Sequence, residues 1–232
     1  MKKKKIFIFI GLVVLIFIIF IGFWVGKDLK EEKKLLEVFD EINLLSNEEN
    51  IDIEKLNQKL NTIETSGDYA KVEEAFKSYL KDLLSNITDI INVLDDEQLT
   101  NILTIENYKN DGKEFLESKE YLEKTINELE NLKNEYNNLF DEEKVLSYIK
   151  SKNLDDYYVD LYKNEFVKDI SASKDEAVID NINTLISILE LSQKIIDLLC
   201  ENKNAWDIEN ENLVFYDDNV ANKYEEYINE LE

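Results

Sequence analysis

Residues 113–140 read KEFLESKEYLEKTINELENLKNEYNNLF. Phe115, Leu122, Ile126, Leu129, Leu132, Tyr136 and Leu139 recur three, four or seven places apart, and most residues between them are charged or carry amides. That is the spacing of one face of an α-helix. No glycine or proline interrupts the run, so it predicts one long amphipathic helix from Lys113 to Phe140.

The same pattern extends in both directions. Upstream, Tyr69, Val72, Phe76, Tyr79, Leu80, Leu83, Ile87 and Ile90 predict a long helix with Asp68 as its N-cap. Gly67 just before it offers a left-handed stop to a shorter helix marked by Ile53, Leu56, Leu60 and Ile63. Leu29, Leu35, Leu36, Phe39, Ile42 and Leu45 mark an earlier helix, and residues 95–112 predict one or two short ones closed by Gly112. Downstream, short helices near 142–151 and 155–170 precede a third long helix. Ser173 and Glu176 open it with capping-box spacing, and Val178, Ile182, Leu185, Leu189, Ile196 and Leu199 form its stripe.

Near the C-terminus the period changes from 3.6 to 2. Trp206 and Ile208 alternate with Asp207 and Glu209, and Leu213 and Phe215 follow Asn210-Glu211. A two-residue turn there would set Ile208 opposite Leu213 and Trp206 opposite Phe215 on one face. Glutamate is a poor residue for the positive φ of such a turn, so a longer loop is the alternative. The paired strands would need to pack their apolar face on the helices, because an isolated hairpin is marginal. A last short helix carries Val220, Tyr224, Tyr227, Ile228 and Leu231.

Composition narrows the chemistry. The 232 residues carry 27 lysines against 51 acids, a net charge of −24, with no arginine, histidine or proline and one cysteine. Without histidine, imidazole-based acid–base catalysis, Ser-His and Cys-His nucleophiles and imidazole metal sites cannot be built. Without arginine, bidentate phosphate clamps cannot either. A single cysteine forms no internal disulfide. Nucleic acid is not expected as a partner, since binding it takes a basic footprint. The excess of Lys, Asn, Ile and Tyr reads as an AT-rich coding sequence.

Residues 6–25 are an uncharged apolar run of twenty, interrupted only by Gly11 and Gly22. At 1.5 Å per residue this spans a hydrocarbon core of roughly 30 Å. A cleaved signal peptide is the rival reading, but a cut after Gly26 would put Trp24 at −3, where a small residue is needed. The expectation is an uncleaved signal anchor. Lys2 to Lys5 favour a cytoplasmic N-terminus, against Lys27, Lys30, Lys33 and Lys34 on the other side. The organisation expected is a basic cytoplasmic N-terminus over residues 1–5, a single-pass anchor over 6–25, and an acidic extracytoplasmic helical domain over 27–232. That last segment contains 23 lysines and all 51 acids, a net −28, with only two glycines. The fold class expected is all-α: a transmembrane helix, then an elongated antiparallel helical bundle with one small β-hairpin near residues 205–216.

Several side-chain groups invite a chemical reading. Asp155, Asp156 and Asp160 resemble in spacing the aspartate-rich motif by which isoprenoid synthases bind magnesium diphosphate. No second such motif follows, and acids at a solvated helix N-terminus are favoured by the dipole anyway. Asp169, Ser171, Ser173, Asp175 and Asp180 have calcium-loop spacing, but Lys174 stands where an EF-hand needs glycine and Asp180 where it needs glutamate. Asp95-Asp96-Glu97, Asp141-Glu142-Glu143 and Asp217-Asp218 each precede a predicted helix, which is ordinary dipole compensation. Cys200, among Ile196, Leu198 and Leu199, reads as a small buried hydrophobe. Asn86-Ile87-Thr88 matches a glycosylation sequon but falls inside a predicted helix. Tyr157, Tyr158 and Tyr162 read as core plus rim, and as the first choice for an interaction surface.

The function expected is therefore a non-enzymatic protein-interaction or spacer module, held at the membrane, with no cofactor, no catalytic residues and no metal site. Its partners would be the lipid bilayer, through residues 6–25, and another protein. A ligand-sensing or cell-envelope-binding domain, with weak binding of divalent cations through net charge, is the alternative. A carboxylate-based hydrolase ranks last.

Overall fold

The computed structural model describes residues 29–46, 53–167, 170, 174 and 176–231. The expected anchor at 6–25, the capping serine Ser173 and most of the calcium-like spacing lie outside the described residues. Among the described residues, no helix is long and apolar enough to cross a membrane.

The chain is a helical bundle protein with one small hairpin. Its helices are α1 (Leu29–Ser46), α2 (Ile53–Asn61), α3 (Gly67–Leu94), α4 (Glu97–Asn101), α5 (Ile105–Asp111), α6 (Leu116–Leu139), α7 (Glu142–Lys150) and α8 (Asp156–Tyr162). A π-helical turn at Lys163–Val167 follows, then α9 (Glu176–Glu201), strands β1 (Trp206–Glu209) and β2 (Asn212–Phe215), and α10 (Asp218–Glu230). The described residues fall into two compact units. The first takes those up to Asp89 together with Asn134–Glu176, and the second takes Ile90–Lys133 and those from Ala177 onward.

In the first unit the predicted stripes are buried. Leu35, Phe39 and Ile42 of α1 and Val72, Phe76 and Leu83 of α3 are all core residues. Phe39, Phe76 and Phe166 form a ring triangle with centroid separations of 4.4, 4.8 and 4.8 Å. Edge-on and tilted rings at such distances add attraction beyond the burial of their area. Four boundary expectations are corrected. Ile53 and Ile63 are exposed, because they stand at and beyond the ends of α2. Gly67 takes the expected positive φ of 62° but is itself the first residue of α3, so Asp68 sits in the first turn rather than at the cap. The helix expected over 155–170 changes to π-helical geometry after Tyr162.

The fourth concerns the long helix expected from Lys113, which starts at Leu116 in the second unit. Gly112 and Phe115 both have positive φ, 74° and 51°, so residues 112–115 make a sharp bend. Asp111 bridges it: its carboxylate accepts from Glu117 N at 3.0 Å and Ser118 N at 2.8 Å, capping the helix that follows. Phe115 tolerates the left-handed backbone because its ring is fully buried, stacked on Trp206 at 5.9 Å and edge-on to Tyr108 at 5.4 Å.

The hairpin has the predicted register, Trp206 opposite Phe215 and Ile208 opposite Leu213. Its turn is the two-residue one. Asn210 and Glu211 both take positive φ, 49° and 64°, so glutamate accepts the conformation it disfavours. Trp206 carries the docking: its ring is buried, and its indole N–H donates to Leu199 O at 2.7 Å. Lys113 Nζ lies 4.8 Å from the centre of that ring and donates to Trp206 O at 2.7 Å and Lys203 O at 3.1 Å.

Candidate functional site

The first unit has a cleft of about 350 Å³. Helix α3 supplies Asp82, Ser85, Asn86 and Asp89, which lie on one face by their spacing, and α6 supplies Glu135, Asn138 and Leu139. Lys144 from α7 completes the lining. Asp141 orients α7 by accepting from Glu143 N at 2.9 Å and Lys144 N at 3.2 Å. The Tyr148 hydroxyl donates to Asp82 Oδ2 at 2.5 Å, and Lys144 Nζ stands 5.1 Å from the Tyr148 ring. Burial, and then the Asp82 carboxylate, push the Tyr148 phenol well above its ordinary pKa. Three carboxylates, two amides and a hydroxyl against one ammonium make the cleft a place for a cationic group rather than an anion. Among the described residues, no three or more acids or cysteines converge as a metal-holding group.

In the second unit, Glu201, Asn202, Asn204, Ala205, Tyr216 and Asp217 line a cleft of about 390 Å³. One of its two acids, Asp217, already has a structural duty. Asp217 caps α10 through Asn219 N at 2.8 Å and Val220 N at 3.3 Å, and the nearby Tyr216 hydroxyl donates to Glu209 at 2.9 Å.

The sequence-chosen tyrosines are not an exposed platform. Tyr162 is fully buried and Tyr158 is buried, while Tyr157 is half-buried. Tyr158 packs edge-on to Tyr69 at 5.2 Å and Tyr162 packs on Phe166 at 5.4 Å. Tyr158 and Tyr162 thus belong to the core and Tyr157 to its rim: α8 is short, so its apolar face is taken up by the helices it packs against. Asp155, Asp156 and Asp160 are exposed, with Asp155 at the N-cap of α8. Asp96, Asp141 and Asp217 are helix N-caps, each accepting backbone N–H groups, which accounts for the three acid clusters. Asn86 is buried inside α3. Cys200 departs from the expected burial: it is half-buried, with its thiol 3.5 Å from Glu114 O.

One constellation escaped the sequence reading. Glu73 and Lys77 of α3 are 0% and 1% exposed and pair at 2.6 Å. Lys77 also donates to Lys59 O at 3.0 Å and Thr62 O at 2.7 Å, closing the C-terminal end of α2. Glu73 accepts from Thr65 N at 2.8 Å, Thr65 Oγ1 at 2.7 Å and Glu64 N at 3.1 Å. Burial opposes ionisation of Glu73, but the bonds from Lys77 and Thr65 outweigh it and hold the carboxyl below its usual range. The signal was an acid and a lysine four apart in the middle of the Val72–Phe76–Tyr79–Leu80 stripe, where polar residues do not belong unless they satisfy each other.

No protein family, curated protein or solved structure matches the chain.

Proposed function

We propose that the chain is a single-pass membrane protein, anchored by residues 6–25 with its N-terminus cytoplasmic. Its acidic body is an extracytoplasmic helical bundle that serves as a non-enzymatic interaction or spacer module. The observation that supports this most is how the acids are used. Asp96, Asp111, Asp141 and Asp217 bind backbone N–H groups, and Glu73 is locked in a buried pair. These carboxylates hold the fold together rather than facing a substrate. Alkaline extraction of membranes, followed by protease shaving of intact cells, tests the anchor and its orientation. The chain is expected to stay with the membrane and to be shaved from outside. Cross-linking in intact membranes and recovery of the chain tests the interaction role, and recovery of no specific partner would leave only the spacer.

The cleft of Asp82, Asp89 and Glu135 favours a second reading, a domain that senses a cationic ligand or binds the cell envelope with divalent cations as bridges. Sedimentation with cell-wall material, with and without magnesium, separates the two. Retention that depends on magnesium supports the envelope reading, and equal absence from both pellets removes it.

A further inference from the structure

Helix α2 is held in an unusual way. Of its nine residues only Leu56 and Leu60 are buried, so its apolar attachment is slight. A polar cluster holds its C-terminal end, where Lys77 takes the carbonyls of Lys59 and Thr62, and Glu73 takes the N–H groups of Glu64 and Thr65. Around this core, Lys59 pairs with Glu41 and Glu64, and Lys34 donates to Glu64 O. Glu31 accepts from Ser66 N at 2.7 Å.

A buried ion pair contributes little net stability, because the desolvation of both charges offsets their attraction. It does impose direction, since the bonds form in one register only. Opening returns both charges to water and recovers their hydration, whereas opening an apolar plug of the same size recovers nothing. A segment end fastened in this way closes specifically and opens at low cost. The pair of Lys59 with Glu41, whose carboxylate is exposed, alters that balance little.

We propose that α2 and the turn 62–66 form a flap that opens as a unit while α1 and α3 stay folded, with the Glu73–Lys77 pair as the latch that shuts it. Opening uncovers the sites of Leu56 and Leu60, an apolar groove that α2 otherwise occupies. The flap is independent of the anchoring proposed above: its test reads local exchange, not membrane attachment, so either can fail alone.

Hydrogen exchange of the full-length chain in detergent micelles, read by mass spectrometry, tests it. Amides of residues 56–66 are expected to exchange at least tenfold faster than those of 72–83, with a weaker dependence on urea. Lys77→Met is expected to speed residues 56–66 by a further factor of at least ten while leaving 72–83 within about twofold. Equal protection and equal urea dependence of the two segments in the native chain would overturn the flap, as would equal acceleration of both by Lys77→Met. If that variant does not fold, the native comparison decides alone.

Discussion

Trp206 and Phe115 stack at 5.9 Å with their planes 27° apart, although they lie 91 positions apart in the chain. The contact fastens the hairpin to the bend before α6, and both rings are buried. Trp206→Ala removes the ring and the donor to Leu199 O, and is expected to destabilise the second unit by about 3–5 kcal/mol. Trp206→Phe keeps most of the packing and loses the hydrogen bond, at about 1–3 kcal/mol. Urea denaturation followed by circular dichroism checks the order of the two.

Glu211 holds φ 64° in a turn whose sequence preference is Asn-Gly. Glu211→Gly relieves the clash of its Cβ with the backbone and is expected to stabilise by about 1 kcal/mol. The cost is the exposed 4.0 Å pair with Lys109, which is worth little. A rise in the melting temperature is the expected readout, and a fall would mean that the turn does not carry this strain.

Asp111→Ala strips two bonds from the first turn of α6. Loss of an N-cap costs about 1–2 kcal/mol, and Asp111→Asn should recover part of it. Faster amide exchange at Glu117 and Ser118 would locate the effect.

Acid acts on the chain in two opposing ways. Protonation of surface carboxylates relieves repulsion in a body of high negative charge. Glu73 works the other way. Its pKa is lowered on folding, so its stabilisation is complete above the unfolded glutamate value and disappears as pH falls through the folded one. Glu73→Gln is therefore expected to be less stable than the native chain at pH 7, with the gap narrowing as pH drops below the usual glutamate range. Paired denaturation curves at pH 7 and at acid pH measure it. A gap that does not change with pH would contradict the lowered value.

Alkali should unfold the protein. Burial raises the phenol pKa of Tyr69, Tyr79, Tyr108, Tyr148 and Tyr162, and pushes Tyr121 up to about 12 with help from Asp96. A phenol whose pKa is raised on folding stabilises fully below the unfolded value of about 10, and that contribution is lost as pH climbs through the folded one. Ultraviolet titration is expected to show a group of tyrosines ionising late and together with loss of helical signal.

Much of the secondary structure was legible because burial follows a fixed geometric period. The stripes of α3, α6 and α9, and the alternation from Trp206 to Phe215, are local consequences of 3.6-residue and two-residue repeats. The acid clusters at 96, 141 and 217 were legible for the same reason, as caps act within one turn. The start of α6 was misread because nothing local forbids helix at Lys113; Phe115 is held in its left-handed state by Tyr108 and Trp206, the latter far away in sequence. How Tyr157, Tyr158 and Tyr162 divide between core and rim is set by what the short α8 packs against, which no local pattern specifies.

By itself, then, the chain's order of residues determined a mostly helical acidic body, its hairpin register and the chemistries it cannot perform, since period and residue type are local properties. Tertiary structure alone decided which polar groups could be buried. Glu73 and Lys77 can be buried as a pair because only the folded turn 62–66 brings the carbonyls and N–H groups that satisfy them.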